Sequence, residues 1–328
     1  AGAQNLSAYM CNQQGYARKV IPRYTTSRQF FDPMRFVRGG NLIDLDWLVE
    51  ATSQQMPLAM NYAETQFALG KELWMCACRG DDYSASYFSP TPQTWLDLIR
   101  ASSAIPGFYR SGVLLDGVSY LDGGVSDAIP VQEAARRGVC IVLASGRPTV
   151  GIEPLARELE LEKYGGCILS YNGGKIIDCK TGHTLVQHAF PPDLIEPVCT
   201  FSRYWNVVPL TYDAHGIITE NASSPYVQEE ARINKIPVRQ VENLPATVNY
   251  PINKLLLTGD PADMPHVEEL MQQEFAGKLS ICRSQPFFIE TMPLGVGKDT
   301  SLEMLLRAKG LTAANLMACG DGWNDLPM

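Results

Sequence analysis

Short apolar runs that stop abruptly in polar or glycine-rich loops recur along this chain. VCIVLASGR, ILSYNGG and NLMACGDGWND are the plainest cases in the second half, and WMCACRG and VSYLDGG in the first. A run of roughly four to eight apolar residues bounded by turn residues suits a strand buried in a sheet. Amphipathic stretches stand between these runs. TPQTWLDLIRASSA opens on Thr91-Pro92, and IPVQEAARRG closes on Gly138, which are start and stop signals for helices. AGAQNLSAYMCNQ, LIDLDWLVEATSQQM, EPLARELELEKY, YVQEEARIN, MPHVEELMQQEFAG and GKDTSLEMLLRAKG read as further helices. VLLDG and VSYLDGG read as a hairpin or two short strands around Gly117, NKLLLTG as a strand, and SQPFFIETMP as a strand-like run. Strands alternating with helices predict α/β architecture throughout. The 328 residues suffice for two ordinary domains.

The net charge of −8 argues against a protein that grips a phosphate backbone, so no nucleic-acid partner is expected. No apolar stretch approaches the roughly 20 residues of a membrane helix, so no transmembrane segment is expected. Ala1-Gly2 is not followed by a charged-then-apolar leader, and the reading is a cytoplasmic protein. The chain opens without methionine and closes on Leu326-Pro327-Met328 after a loop-like acidic motif, so both ends are read as cut. Nine cysteines are scattered without a repeated spacing. Cys76 and Cys78 would share one face of a strand and are read as buried thiols in a reducing compartment.

Asp122-Gly123-Gly124 follows the apolar-aromatic run VSYL. Alone, D-G is a common turn dipeptide. In context, RASSAIPGFYR and YLDGGVSDAIPVQEAARRG resemble the C-terminal half of the bacterial patatin-like phospholipases, and RFVRGGNLIDLDWLVEAT and MCACRGDDY agree. The resemblance implies that Asp122 is the base of a Ser-Asp dyad, with Gly123 and Gly124 completing the motif, no cofactor, and a lipid or acyl ester as substrate. A serine hydroxyl needs an adjacent base. All four histidines, His183, His188, His215 and His266, lie after residue 180, so a carboxylate is the base available in the first half. The nucleophile belongs on a G-x-S-x-G elbow. Ala1-Gly2 matches its last two positions, which places the serine just before Ala1. Internal serines such as Ser7 and Ser103 stand in no such motif.

In the second half VCIVLASGRP, ILSYNGG, GVGKDTSLEMLL and MACGDGWNDLPM occur in that order, and the set resembles the Cof-type phosphatases of the haloacid dehalogenase (HAD) superfamily. The resemblance implies a Rossmann-type core with an inserted α+β cap and a small phosphorylated metabolite as substrate. It implies that Ser145, Arg147 and Asn172 bind the phosphate, and that Lys298 neutralises phosphate and nucleophile. Asp321 and Asp325 would hold Mg²⁺, with Asn324 as an auxiliary polar group. GVGKDT is not a nucleotide-binding P-loop, because Met292 stands where the upstream glycine belongs and Asp299 where Ser or Thr belongs. The family's nucleophile is the first aspartate of D-x-D-G-T on the first core strand. No such motif precedes residue 139. Asp44-Leu45-Asp46 mimics it, but Trp47-Leu48 replaces Gly-Thr.

Two partial three-layer α/β domains are therefore expected. The first spans residues 1–138 and the second 139–328, with core 139–174 and 281–328 and cap about 175–280. EAARRG (133–138) suits both families, and no Gly/Ser/Pro linker separates them, so the sequence is read as a chimera of two truncated hydrolases joined there. Three functions remain open: a Mg²⁺-dependent phosphatase without its attacking aspartate, an acyl hydrolase without its serine, or an inactive chimera. Each core would lack strands, which predicts an exposed sheet edge.

Overall fold

The computed structural model describes residues 2–320 and 325–328. It consists of two compact units, Ala1–Pro130 and Val131–Met328.

The first unit contains helices α1 (Gly2–Met10), α2 (Leu45–Gln55) and α3 (Trp95–Ala101) and strands β1 (Met75–Arg79), β2 (Ala85–Phe88), β3 (Val113–Leu115) and β4 (Val118–Asp122). The strands form an antiparallel sheet in the order β2-β1-β4-β3. Helix α2 starts where the Asp44 carboxylate accepts the Trp47 N–H at 2.9 Å, a side-chain N-cap. Helix α3 starts later than the Thr91-Pro92 signal, because Thr91 and Thr94 first close a turn through reciprocal hydroxyl bonds. Of the two readings for the segment around Gly117, the hairpin is the one present, with β3 and β4 paired antiparallel. Asp116 and Gly117 both have positive φ, 50° and 81°, as a two-residue turn matched to strand twist requires. Trp95 is fully buried in a core with Val49, Leu73, Met75 and Leu98. Its indole N–H donates to Ser7 Oγ at 2.8 Å, and that hydroxyl donates to the Ala3 carbonyl at 2.7 Å.

The second unit opens on α4 (Val131–Arg136), and Gly138 (φ 90°) turns the chain after it. One sheet holds β5 (Val142–Ala144), β6 (Cys167–Ser170), β7 (Lys175–Asp178) and β8 (Thr184–Gln187) in that order. Helix α5 (Thr149–Glu158) connects β5 to its parallel neighbour β6. The expected helix EPLARELELEKY breaks at Glu160 (φ 52°) and resumes as the short turn Leu161–Tyr164. Strand β6 is buried throughout because both faces are covered. Cys167 and Leu169 pack against Leu302 and Leu305, and Ile168 packs with Ile152 and Ala156.

A second sheet, of six strands, runs in the order β11-β10-β9-β12-β14-β13. Its strands are β9 (Val208–Tyr212), β10 (Ile217–Thr219), β11 (Val238–Gln240), β12 (Leu255–Thr258), β13 (Leu279–Gln285) and β14 (Phe288–Pro293), and its helices α6 (Ile195–Tyr204), α7 (Pro225–Asn234) and α8 (Met264–Glu274). The run SQPFFIETMP is not one strand: Pro286-Phe287 makes a turn between β13 and β14. Strand β12 alternates across the sheet. Leu255 and Leu257 join Val198, Met264 and Met271 on one face, and Leu256 joins Leu210 and Val227 on the other. Helix α9 (Lys298–Ala308) follows.

One expected strand is absent. The apolar segment 316–320 has no regular structure, and Met317 is 77% exposed. A strand needs a ladder partner for its backbone groups. Among the described residues the sheet ends at β5, which pairs with β6 alone, so no neighbouring strand is there for this segment to join. Among the described residues no helix is long and apolar enough to cross a membrane.

The Trp95–Ser7 bond yields a direct test of the first unit. Ser7→Ala would leave the buried indole N–H without an acceptor and destabilise this unit by about 1–3 kcal/mol. Urea unfolding read by hydrogen exchange in peptides from residues 2–10 and 95–101 would show the loss.

Candidate functional site

In the second unit the loops after β5 and β6 lie together. The Ser145 N–H extends the ladder to the Leu169 carbonyl at 2.9 Å, and the Ser145 carbonyl accepts from the Asn172 N–H at 3.0 Å. The Tyr171 N–H donates to the Arg147 carbonyl at 3.0 Å, and the Arg147 N–H donates to Ser145 Oγ at 3.2 Å. Gly146 fits because a Cβ there would come 2.9 Å from Asn172 Oδ1. The Arg147 side chain is exposed.

The turn after β6 carries three successive positive φ values, at Tyr171 (54°), Asn172 (52°) and Gly173 (104°). Non-glycine residues seldom adopt this region. Packing holds it: Tyr171 is buried, and burial pushes its phenol up to about 12. A Cβ on Gly173 would lie 2.2 Å from the Gly297 carbonyl oxygen. Ser301 Oγ, on α9, donates to the Gly173 carbonyl at 2.7 Å. The turn is thereby fastened to the start of α9, where the Gly297 N–H donates to Thr300 Oγ at 3.0 Å.

Lys298 is the first residue of α9 and only 6% exposed. A cation at a helix N-terminus meets the positive end of the helix dipole, and a buried ammonium needs an anionic partner. Asp325 supplies it, with Lys298 Nζ 2.6 Å from Asp325 Oδ1. Asp321 and Asn324, expected beside it, lie outside the described residues. The described residues do not fit Mg²⁺ on their own. Asp325 brings one carboxylate, Lys298 engages one of its oxygens, and no group of three or more metal-ligating side chains is found among the described residues.

Two charged residues escaped the sequence reading. Lys254 (2% exposed) stands just before β12, and Glu290 (7% exposed) lies in β14. Lys254 Nζ reaches Glu290 Oε1 at 3.4 Å and donates to the Gly146 carbonyl at 3.2 Å. Glu290 Oε2 accepts from Asn172 Nδ2 at 3.2 Å. The signal was a charge inside the otherwise apolar runs NKLLLTG and PFFIETMP, since charges enter buried strands only when paired.

In the first unit Asp122 ends β4, and its Oδ1 accepts the Gly124 N–H at 2.7 Å. Gly123 is buried against β1, where a Cβ would meet the Cys76 carbonyl oxygen at 2.3 Å. Burial, then the charge of Asp127, push the Cys76 thiol up to about 11. Ser7 is spent on Trp95 and Ala3. Asp44 caps α2 and pairs with Arg35 at 3.1 Å, while Asp46 accepts from Tyr109 Oη at 2.8 Å and pairs with Arg100 at 3.0 Å. Both carboxylates of the D-x-D mimic therefore have structural partners.

The sequence profile of the haloacid dehalogenase-like hydrolases matches residues 126–328, and that of the patatin-like phospholipases matches residues 1–135. The two matches overlap over 126–135. YjjU of Escherichia coli, whose name states no activity, is 75% identical over 138 residues, which are 42% of this chain and 39% of YjjU. A Streptococcus pyogenes protein provisionally named a phosphatase is 31% identical over 201 residues, 60% of this chain and 74% of that protein. The crystal structure of a haloacid dehalogenase-like hydrolase from Bacteroides thetaiotaomicron superposes with a TM-score of 0.58 at 39% identity, covering 60% of this chain and 74% of the other.

The turn at Gly173 is the most exacting contact of the site. Gly173→Ala would force a Cβ into the Gly297 backbone at an unfavourable φ, at a cost on the order of 3 kcal/mol or more. Thermal denaturation should show the loss, together with faster amide exchange in α9.

Proposed function

The chain belongs, through residues 126–328, to the haloacid dehalogenase-like hydrolases, and on that premise we propose that this part holds the phosphoryl group of a small phosphorylated metabolite without an aspartate to attack it. The single observation behind this reading is the joined set Ser145–Asn172–Gly173–Lys298. The Ser145 carbonyl bonds the Asn172 N–H, Gly173 is fastened to α9, and Lys298 opens that helix. Serine, an amide side chain and an ammonium, assembled by the backbone, suit phosphoryl oxygens. Preorganised donors of this kind stabilise a transferring phosphoryl group.

Transfer also needs an attacking atom. No D-x-D-G-T stands before residue 139, and Asp44 and Asp46 serve α2, Tyr109 and the arginines instead. We read the six-stranded sheet and its helices as the cap and the four-stranded sheet with α9 as the core, which differs from the expected cap of about 175–280 in placing β7 and β8 in the core and β14 in the cap. A Mg²⁺ ion would be held by Asp325, one oxygen of which Lys298 already engages, together with Asp321, which lies outside the described residues.

A second reading concerns Asp122. Its place at the end of β4, with one oxygen fixed by the Gly124 N–H, suits the base of a Ser-Asp dyad acting on an acyl ester. The G-x-S-x-G elbow is not found within residues 1–328, and on this reading the serine stands just before Ala1.

Three measurements on the purified chain test the proposal. Inorganic phosphate should bind in the millimolar range by ³¹P NMR titration, and Ser145→Ala should weaken it about tenfold, as losing one hydrogen bond to a charged group does. p-Nitrophenyl phosphate with Mg²⁺, and p-nitrophenyl butyrate, should both be hydrolysed at the background rate. Turnover of the phosphate ester that a single substitution abolishes would overturn the proposal, and turnover of the butyrate that Asp122→Asn abolishes would favour the second reading.

A further inference from the structure

We propose that Lys254 and Glu290, from the six-stranded sheet, are positioning residues that fix the two loops holding the phosphoryl group. The inference rests on the phosphate-holding reading above and adds to it a brace from outside the four-stranded sheet. Both side chains are charged and almost wholly buried, at 2% and 7% exposure. Such groups are costly unless paired and hydrogen-bonded, so their partners decide where they sit. Lys254 Nζ meets Glu290 Oε1 at 3.4 Å and the Gly146 carbonyl at 3.2 Å, and stands 5.6 Å from the centre of the Tyr212 ring.

The bond to Gly146 bears on the site through the peptide plane. The Gly146 carbonyl and the Arg147 N–H belong to one rigid planar unit. Holding the carbonyl on Lys254 aims the N–H the opposite way, where it donates to Ser145 Oγ at 3.2 Å. Lys254 thereby sets the Ser145 hydroxyl without touching it. Glu290 acts on the other loop. One carboxylate oxygen takes the ammonium and the other accepts from Asn172 Nδ2 at 3.2 Å. Asn172 sits at a φ of 52°, in the left-handed region that asparagine adopts more readily than most residues, and this bond is one of the contacts that keep it there. A single Lys–Glu pair thus fixes both walls, and the six-stranded sheet presets the loops before any ligand arrives.

The test uses the full chain, with inorganic phosphate as the probe and ¹⁵N-resolved NMR as the second readout. Lys254→Met should shift the Arg147 amide resonance in the free protein and weaken phosphate binding about tenfold, the effect of one charge-assisted hydrogen bond. Glu290→Gln should move the Asn172 side-chain amide resonance and weaken binding as well; it keeps the residue's shape and serves if Lys254→Met does not fold. A folded variant with unshifted Arg147 and Asn172 resonances and wild-type phosphate affinity would overturn the brace. Wild-type protein that binds no phosphate would overturn the phosphate-holding reading instead, and the resonance shifts would still decide whether the two loops hang on this pair.

Discussion

The second unit is organised around a close approach of two backbones. The turn at Gly173 lies so near the Gly297 carbonyl that no side chain fits between them, and Ser301 locks the contact with a bond to the Gly173 carbonyl. Residues more than a hundred positions apart are thereby brought together, and Lys298 is delivered to the end of a helix that would otherwise disfavour it. The positive-φ backbone of Tyr171 and Asn172 leads into this contact, and Lys298, which follows Gly297, is buried beside it and paired with Asp325. Such strain persists only where surrounding structure overdetermines it.

Buried charge is the second organising constraint. Lys254 stands just before β12 and Glu290 lies in β14, beside a strand that turns buried leucines to both faces of the sheet. A nearby buried carboxylate, Glu230, is raised above its usual range by burial, with Lys254 opposing the shift, and accepts from Tyr212 Oη at 2.6 Å and Asn234 Nδ2 at 2.7 Å. Polar groups placed this deep are stabilising only when each finds a partner. Their partners here include backbone and side-chain atoms of the loops at Gly146 and Asn172, which is why the pair reads as part of a site.

Much of this was legible from local patterns. The Asp116-Gly117 turn, the helix at residues 298–308, the buried strand LLLT and the glycine turn after ILSY each announce themselves through spacing and turn chemistry. What failed was non-local. The apolar segment 316–320 has the composition of a strand, yet a strand exists only beside another, and composition cannot say whether the neighbour is present. The break at Pro286-Phe287 was hidden because apolar residues continue across it. Ser145, Asn172 and Lys298 could be picked out by motif, whereas Lys254 and Glu290 carry no motif and acquire meaning only through what they touch.

The matches to two hydrolase families overlap over residues 126–135 of this chain, and the sheet that follows begins, among the described residues, at an edge strand, β5, with half-buried side chains. The central proposal is that the phosphate end of the second unit is assembled although, among the described residues, no strand lies beyond β5 where the attacking strand would stand. A crystal structure determined with tungstate, a phosphate analogue located by its anomalous scattering, tests this most directly. The account predicts tungsten among Ser145, Asn172 and Lys298, with no aspartate from the preceding residues in contact with it. An intact cradle empty of tungsten at saturating concentration, or an aspartate from before residue 139 against the anion, would contradict it.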